Sequence, residues 1–150
     1  MTKILIILIC AMSMLLLSCD FDDADSLNRK EITDLFYDIE MDFNLGNVFG
    51  IMDRVHRDYL HKGDITRHLN EEILDRMGRF SLVDIEVIWI DLKGDYAVVH
   101  SRDVYQSEIE TVTYTEPEDT GYFSYLKRIG GTWLIYGNQL WLKESIAADK

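Results

Sequence analysis

The chain has little cysteine, proline and histidine, and each shortage excludes a class of structure or site. Its two cysteines, Cys10 and Cys19, both lie near the N-terminus, so the remaining chain can form no disulfide within itself. A single proline and regular apolar patterning exclude extended disorder. The four histidines match no zinc-binding spacing, and no glycine-rich phosphate loop precedes a helix, so we expect no metal and no cofactor.

Basic residues are also scarce, because 15 lysines and arginines stand against 27 aspartates and glutamates. The resulting formal net charge is -12. Phosphate groups repel such a chain, which excludes nucleic acids and anionic lipid surfaces as partners recognised through charge. At 150 residues, the chain is long enough for one domain with a sizeable core.

The first twenty residues have the pattern of an export signal. One basic residue, Lys3, precedes an apolar run over residues 4–17 that only Ser13 interrupts. A helix of that length would rise about 21 Å, which is shorter than the ~30 Å hydrocarbon core of a bilayer. The run therefore suits the apolar part of a signal peptide better than a permanent membrane span.

The end of this run, Leu16-Leu17-Ser18-Cys19, resembles the lipobox of bacterial lipoproteins. The resemblance implies cleavage between Ser18 and Cys19, and a diacylglyceryl group joined to the Cys19 thiol as a thioether. The chain would then be anchored in a lipid bilayer through acylated Cys19, in the cell envelope, facing the periplasm or the exterior. An uncleaved N-terminal anchor with an incidental cysteine is the alternative.

Changes in composition divide the chain into four predicted segments. They are a lipoprotein signal peptide, an acidic tether, a folded domain and a short tail, over residues 1–18, 19–27, 28–144 and 145–150. Within the folded domain, apolar residues at helical spacing come first, and β-branched and aromatic residues dominate from Leu82 onward. This order predicts an α+β fold, with N-terminal helices packed on one face of a strongly bent antiparallel sheet.

Three helices are predicted before the sheet. Asn28 and Glu31 have the spacing of a capping box, so a first helix should begin there and end at Gly46. Asn47 can start a second, shorter helix. A third helix carries apolar residues at helical spacing and closes near Gly78.

Four strands are predicted after the helices. They cover residues 83–92, 96–106, 122–129 and 132–141, with tight turns at Gly94 and at Gly130-Gly131. The acidic segment 108–120 is predicted to continue the second strand and then to form a long loop.

Three stretches in this order resemble the nuclear transport factor 2-like superfamily, including its SnoaL-like and ketosteroid-isomerase-like branches. They read HRDYLHKGD, KGDYAVVHSRDVY and GYFSYLKRIGGTWLIYGNQLW. The resemblance implies a cone in which a bent sheet wraps the long helix and leaves a pocket at its open end. Members of the superfamily include isomerases, dehydratases, hydrolases and association domains, so the fold alone does not determine the function.

In the enzymes of this superfamily, pocket acids and histidines move protons on small substrates. The catalytic candidates here are Asp58, His56 and His100, with Tyr59 beside them. Asp58 and Tyr59 are expected near the mouth of the pocket, and His100 on the opposite wall. No motif links a base to an oxyanion donor, so none of these residues is assigned a catalytic role.

Aromatic residues are more plentiful than acid–base candidates. We expect Tyr59, Trp89, Tyr105 and Trp133 to line a ligand pocket, although a core filled by aromatics without a ligand is the alternative. The favoured function is non-catalytic binding of a small apolar ligand or a protein partner. An isomerase or dehydratase using pocket Asp and His residues, and a structural dimerisation module of the cell envelope, stay open. Related proteins dimerise through the outer face of the sheet, which suggests a homodimer.

Overall fold

The computed structural model describes residues 20–139 of the chain, with side chains from residue 24. The predicted signal peptide, Ser18, Cys19 and the predicted tail therefore lie outside the described residues. The chain divides into two compact units, residues 1–31 and 32–150, and the boundary falls inside the first helix. None of the helices within residues 20–139 is long and apolar enough to cross a membrane.

Three helices precede the main sheet. They are α1 (Asp20–Asn44), α2 (Val48–Met52) and α3 (Thr66–Arg79). The predicted start of the first helix at Asn28 is wrong, because the acidic segment that was expected to be a tether is helical from Asp20. Aspartate is a residue type favoured near the N-terminus of a helix, so an acidic segment can begin one.

Three other predicted helix boundaries, the end of the first helix, the start of the second and the end of the third, are confirmed within one or two residues. Asn47 caps α2, since its side chain accepts a hydrogen bond of 3.2 Å from the Gly50 amide. Arg54, which follows α2, ties it to α1 through ion pairs of 2.6 Å with Asp42 and 3.1 Å with Asp38. The third helix passes Gly78 and ends at Arg79.

The strands form one short hairpin and one five-stranded antiparallel sheet. The hairpin consists of β1 (Leu60–His61) and β2 (Asp64–Ile65). The main sheet contains β3 (Leu82–Lys93), β4 (Tyr96–Gln106), β5 (Thr111–Glu116), β6 (Tyr125–Ile129) and β7 (Thr132–Ile135). Along its length β4 pairs with β3 on one side, and on the other with β6 near its start and β5 near its end.

The first two strand predictions are confirmed, and the later ones need correction. Residues 108–120 do not continue the second strand, because the chain turns at Ser107, whose amide donates to the Glu110 carbonyl at 2.9 Å, and returns as β5. The third predicted strand begins at Tyr125. The fourth ends at Ile135, because Gly137 has φ +80 and any Cβ there would clash with the Leu60 carbonyl oxygen.

The core of the unit formed by residues 32–150 lies between the helices and the inner face of the curved sheet. Helix α1 contributes an apolar stripe at helical spacing, and α3 contributes Leu69 and Ile73. The sheet contributes inward residues that alternate with exposed ones along each strand. The stripe on α1 consists of Ile32, Leu35, Phe36, Ile39 and Phe43. The predicted α+β architecture is confirmed.

Candidate functional site

The three predicted catalytic residues do not converge. The Asp58 side chain is exposed at a cleft of about 320 Å³, and its carboxylate lies 4.0 Å from His56 and 3.8 Å from Arg57. His100 lies on the outer face of β4, where its ring stacks on Trp89 with centroids 4.2 Å apart. The cleft beside Asp58 is lined by residues 57–60, 65 and 66, outside α1 and the main sheet, so the placement of Asp58 at the mouth of a helix–sheet pocket stays a prediction. The expected position of His100 on an inner wall is wrong.

The four predicted ligand-binding aromatics also divide between two environments. Tyr59, Tyr105 and Trp133 are buried in the core. Trp89 is 52% exposed on the outer face of the sheet. The buried Tyr59 hydroxyl donates to the Tyr122 carbonyl oxygen at 3.2 Å, and burial raises its pKa. These four residues therefore cannot line one pocket.

The inner face of β4 carries polar residues that do converge. Alternation along this strand buries Ala97, Val99, Ser101, Asp103 and Tyr105 and turns their neighbours outward. His100, the candidate predicted on this strand, belongs to the outward face. The choice was wrong because Ser and Asp in a strand are usually exposed, and here they point into the core.

Arg76 of α3 lies opposite this face and is only 6% exposed. Its Nε donates to Glu72 Oε1 at 2.7 Å, and its Nη1 donates to the Tyr105 hydroxyl at 3.2 Å. Three tyrosine rings surround the guanidinium, with centroids at 5.1 Å for Tyr105, 4.8 Å for Tyr114 and 5.4 Å for Tyr122. Each ring face attracts the cation. Burial opposes the charge, but Tyr105 and Glu72 raise the pKa of Arg76, so it stays ionised.

Asp103 is the buried acid of this region, at 3% exposure. Its Oδ1 accepts a hydrogen bond of 2.7 Å from the Ser101 hydroxyl. Burial, aided by the charge of Glu116, raises the pKa of Asp103 to about 6, against the opposing effects of Ser101 and Arg76. A carboxyl group with this pKa is partly protonated near neutral pH and can exchange a proton there.

Glu116, at the end of β5, fixes the turn that follows it. Its carboxylate accepts from the Thr120 amide at 3.0 Å, and also from the Thr120 hydroxyl and the Gly121 amide. The Thr120 carbonyl oxygen then accepts from His61 Nε2 at 2.7 Å and from Lys62 Nζ at 3.0 Å. Burial lowers the pKa of His61. A neutral His61 therefore locks the β1–β2 hairpin to this turn.

We call the convergent group the inner polar site. It consists of Glu72, Arg76, Ser101, Asp103, Tyr105, Tyr114, Glu116 and Tyr122. Glu72, Tyr114 and Tyr122 are partly exposed and form its rim, whereas the other members are buried. The site offers a fixed cation, buried carboxylates and aromatic walls, which can orient a small molecule through hydrogen bonds. Within residues 20–139, no group of His, Cys, Asp and Glu side chains could hold a metal ion.

Of the residues in this site, only Tyr105 is among the candidates predicted from the sequence. A signal for Arg76 existed, because it falls on the same helical face as Leu69 and Ile73, where an apolar residue is expected. Asp103 has a similar signal, since alternation places it between Val99 and Tyr105 on the buried face. A charged residue at a position where helical spacing or strand alternation predicts a buried apolar residue is therefore the sequence signal for this site.

Known structures share this architecture at low sequence identity. A protein of unknown function from Mycobacterium tuberculosis has a TM-score of 0.60 at 14% identity, over 80% of this chain and 74% of that chain. A nuclear transport factor 2-like protein of unknown function from Shewanella oneidensis MR-1 has a TM-score of 0.55 at 15% identity, over 73% and 95%. A protein of unknown function with a cystatin-like fold, from Nostoc punctiforme, has a TM-score of 0.57 at 14% identity. The match covers 74% of this chain and 87% of that chain.

The sequence of the chain matches no protein-family model and no curated protein. At identities of 14 to 15%, a structural likeness establishes the fold and leaves activity and ligand undetermined. The helices followed by a curved antiparallel sheet agree with that likeness in element order and pairing. The chain therefore has a nuclear transport factor 2-like α+β fold.

Proposed function

We propose that the protein is a lipid-anchored binding protein of the cell envelope. In this proposal, acylated Cys19 holds the chain at a bilayer, and the folded unit binds a small, largely apolar ligand at the inner polar site without catalysis. The observation that carries the binding function is the buried Arg76 among three tyrosine rings, facing Asp103 on the sheet. Aromatic walls with a few oriented polar groups are typical of binding pockets.

The anchor is tested at Cys19. Mass spectrometry of the mature protein should find an acylated cysteine as its first residue. The variant Cys19→Ala should remain an unprocessed precursor without lipid, because only a thiol forms the thioether. Cys10→Ala is the matched control and should be processed normally. A mature chain with an unmodified N-terminus other than Cys19 would refute the anchor.

Ligand binding is tested by screening small apolar molecules against the full chain in lipid nanodiscs. Binding at the inner polar site should raise the thermal unfolding midpoint of the wild type and of Arg102→Met. The same compounds should have no effect on Arg76→Met, because this variant loses the donors that orient the ligand. Arg102 is the matched control, since it lies on the outer face of the same sheet. Equal shifts in both variants would place binding elsewhere.

An isomerase or dehydratase is the second candidate, and Asp103 is the observation that favours it. General bases work best with a pKa near the operating pH, and burial raises the pKa of this carboxyl to about 6. Binding is preferred because the inner polar site contains no histidine that could act with Asp103 as a second acid–base group. If the wild type converts a bound compound, and Asp103→Asn still binds that compound but no longer converts it, the enzyme becomes the preferred function.

A further inference from the structure

Helix α1 carries two apolar stripes on opposite sides, and the core covers only one of them. The inner stripe, from Ile32 to Phe43, belongs to the core. With 3.6 residues per turn, Tyr37, Met41 and Leu45 lie on the opposite side, about one turn apart. Leu45 continues the helical pattern past the end of α1, because its amide donates to the Met41 carbonyl at 3.0 Å. The helix therefore has a second apolar face, directed away from the core.

Helix α2 adds a fourth apolar residue at the same end of α1. Arg54 holds α2 beside the last turns of α1, because it donates to the Gly50 carbonyl and pairs with Asp38 and Asp42. Gly50 permits this approach, since any Cβ there would clash with the Asp42 carboxylate. Phe49 is the aromatic residue that α2 exposes. We define the outer helical stripe as Tyr37, Met41, Leu45 and Phe49, which are 60%, 41%, 74% and 79% exposed.

The continuity of this stripe is what makes it unusual. Single exposed apolar residues are normal on a protein surface, whereas contiguous ones mark interaction sites. Residues three and four apart on a helix are neighbours, so the three members on α1 form one row. The row extends about 12 Å along the helix axis, which is roughly two turns. A second helix whose apolar residues repeat every three to four positions matches a row of this length.

Carboxylates border the row. Residues 32–44 of α1 contain no lysine or arginine, and their four acidic residues are Asp34, Asp38, Glu40 and Asp42. Asp34 and Glu40 lie three residues before and after Tyr37, so they border the row on its two sides. Arg54 is the cation that pairs with two of these acids. Four acidic residues against one arginine leave the border negative, like the whole chain at -12.

We propose that the outer helical stripe docks a basic amphipathic helix of a partner protein. The apolar face of that helix packs on the stripe, and its lysines or arginines reach the bordering carboxylates, as charged residues do beside the seam of a coiled coil. A second copy of this chain would bring the same carboxylates to the contact, and an anionic lipid surface would bring phosphates, so like charges oppose both. This contact lies outside the inner polar site and goes beyond the proposed ligand binding.

The probe is a synthetic amphipathic helix of about 18 residues, with leucines on one face and lysines beside them. Its binding to the full chain in phosphatidylcholine nanodiscs is measured by fluorescence anisotropy, with empty nanodiscs as the control. One matched peptide has glutamates in place of the lysines, and another has the same composition with its leucines spread around the helix. Both should bind at least about tenfold more weakly, because the first loses the complementary charge and the second loses the apolar face.

Two variants assign the binding to the stripe. Phe49→Gln and Met41→Gln replace exposed side chains without changing the charge of the chain. Each should weaken binding of the lysine peptide about tenfold, because it removes a large apolar anchor from the contact. Trp89→Gln is the matched control, since Trp89 is an exposed apolar residue of the outer sheet face, and it should leave the affinity unchanged. Urea unfolding midpoints close to that of the wild type show that the variants are folded.

Each other outcome overturns the inference. If the lysine peptide does not bind the wild type, the stripe does not accept a basic helix. Equal affinities of the wild type and both stripe variants would mean that net charge alone attracts the peptide. Equal binding of the glutamate peptide would remove the role of the carboxylates. A dimer in sedimentation of the detergent-solubilised chain that Phe49→Gln dissociates would make a second copy the occupant. None of these variants changes the inner polar site, so the inference and the proposed function can each fail alone.

Discussion

The two faces of strand β4 put polar residues in opposite environments. The outer face carries His100 stacked on Trp89, and Arg102 paired with Glu86 at 2.5 Å, all at least partly exposed. The inner face carries Ser101, Asp103 and Tyr105, all nearly inaccessible. Polar groups on the outer face keep their hydration, whereas those on the inner face depend on the protein for every hydrogen bond.

This difference explains where function can arise. Outer polar residues contribute little to stability, and their exchange is inexpensive, so their presence needs no special cause. Inner polar residues reduce stability unless they are fully paired, and Arg76 and Asp103 are paired only in part. Aliphatic residues could fill these core positions without that loss of stability. The presence of Arg76 and Asp103 there therefore argues for a binding role. Four predictions test this contrast between the faces.

The largest effect should come from a pair of tryptophans. Trp133 is 3% exposed on the inner side of β7, and Trp89 is 52% exposed on the outer side of β3. Trp133→Ala should lower the free energy of unfolding by roughly 3–5 kcal/mol, because it leaves a cavity in the core. Trp89→Ala should cost less than about 1 kcal/mol. Urea unfolding of the full chain, followed by far-ultraviolet circular dichroism, measures both, and similar losses would erase the contrast.

The next largest effect should come from a pair of arginines. Arg76→Ala removes the cation from three aromatic faces and leaves the buried Tyr105 hydroxyl without its partner, which should cost roughly 2–4 kcal/mol. Arg102→Ala breaks only an exposed ion pair and should cost about 0–1 kcal/mol. The same urea titrations provide the values. A neutral Arg76→Ala would mean that the cluster of rings does not depend on the guanidinium.

The third prediction has the opposite sign, because Asp103 lowers stability at neutral pH. The folded-state pKa of about 6 lies above the ordinary value of 3.8, so the folded chain binds the proton more tightly than the unfolded chain. This contribution to stability is fully present below pH 3.8 and is lost as the pH rises through 6. Asp103→Asn should therefore raise the free energy of unfolding at neutral pH by roughly 1–3 kcal/mol.

Urea midpoints measured across this pH range provide the check. Wild type and Asp103→Asn should have similar stabilities at the acidic end and diverge as the pH rises through about 6. Asn keeps an acceptor for the Ser101 hydroxyl, so the hydrogen bond on the inner face persists. Parallel curves for the two proteins would show that burial does not shift this carboxyl.

The sequence predicted local features of the fold better than it predicted the site. Strand β4 was predicted at its observed bounds, 96–106, because alternation and the turn at Gly94 are both local signals. The start of α1 was missed, since Asn28 has the pattern of a cap but the acidic residues before it favour helix equally well. The return strand β5 was missed because its turn contains no glycine or proline.

The inner polar site was largely missed for a different reason. Its members come from α3, β4, β5 and the segment before β6, so their proximity depends on how the strands pair. Arg76 and Asp103 look like ordinary surface residues in a chain that is 28% charged. His100 attracted attention as a titratable residue, yet one step of strand register separates it from the buried face.

The smallest effect should come from His61, which should make the free energy of unfolding decrease as the pH falls below its ordinary pKa of 6.5. Burial lowers the pKa of His61 below its ordinary 6.5, so the unfolded chain takes up the proton first as the pH falls. Its contribution to stability is present above pH 6.5 and is lost as the pH falls through the folded-state pKa. This slope opposes that of Asp103, so it is measured in the Asp103→Asn background. Adding His61→Phe should flatten the remaining acid slope. A slope that survives His61→Phe would assign the acid sensitivity to another group.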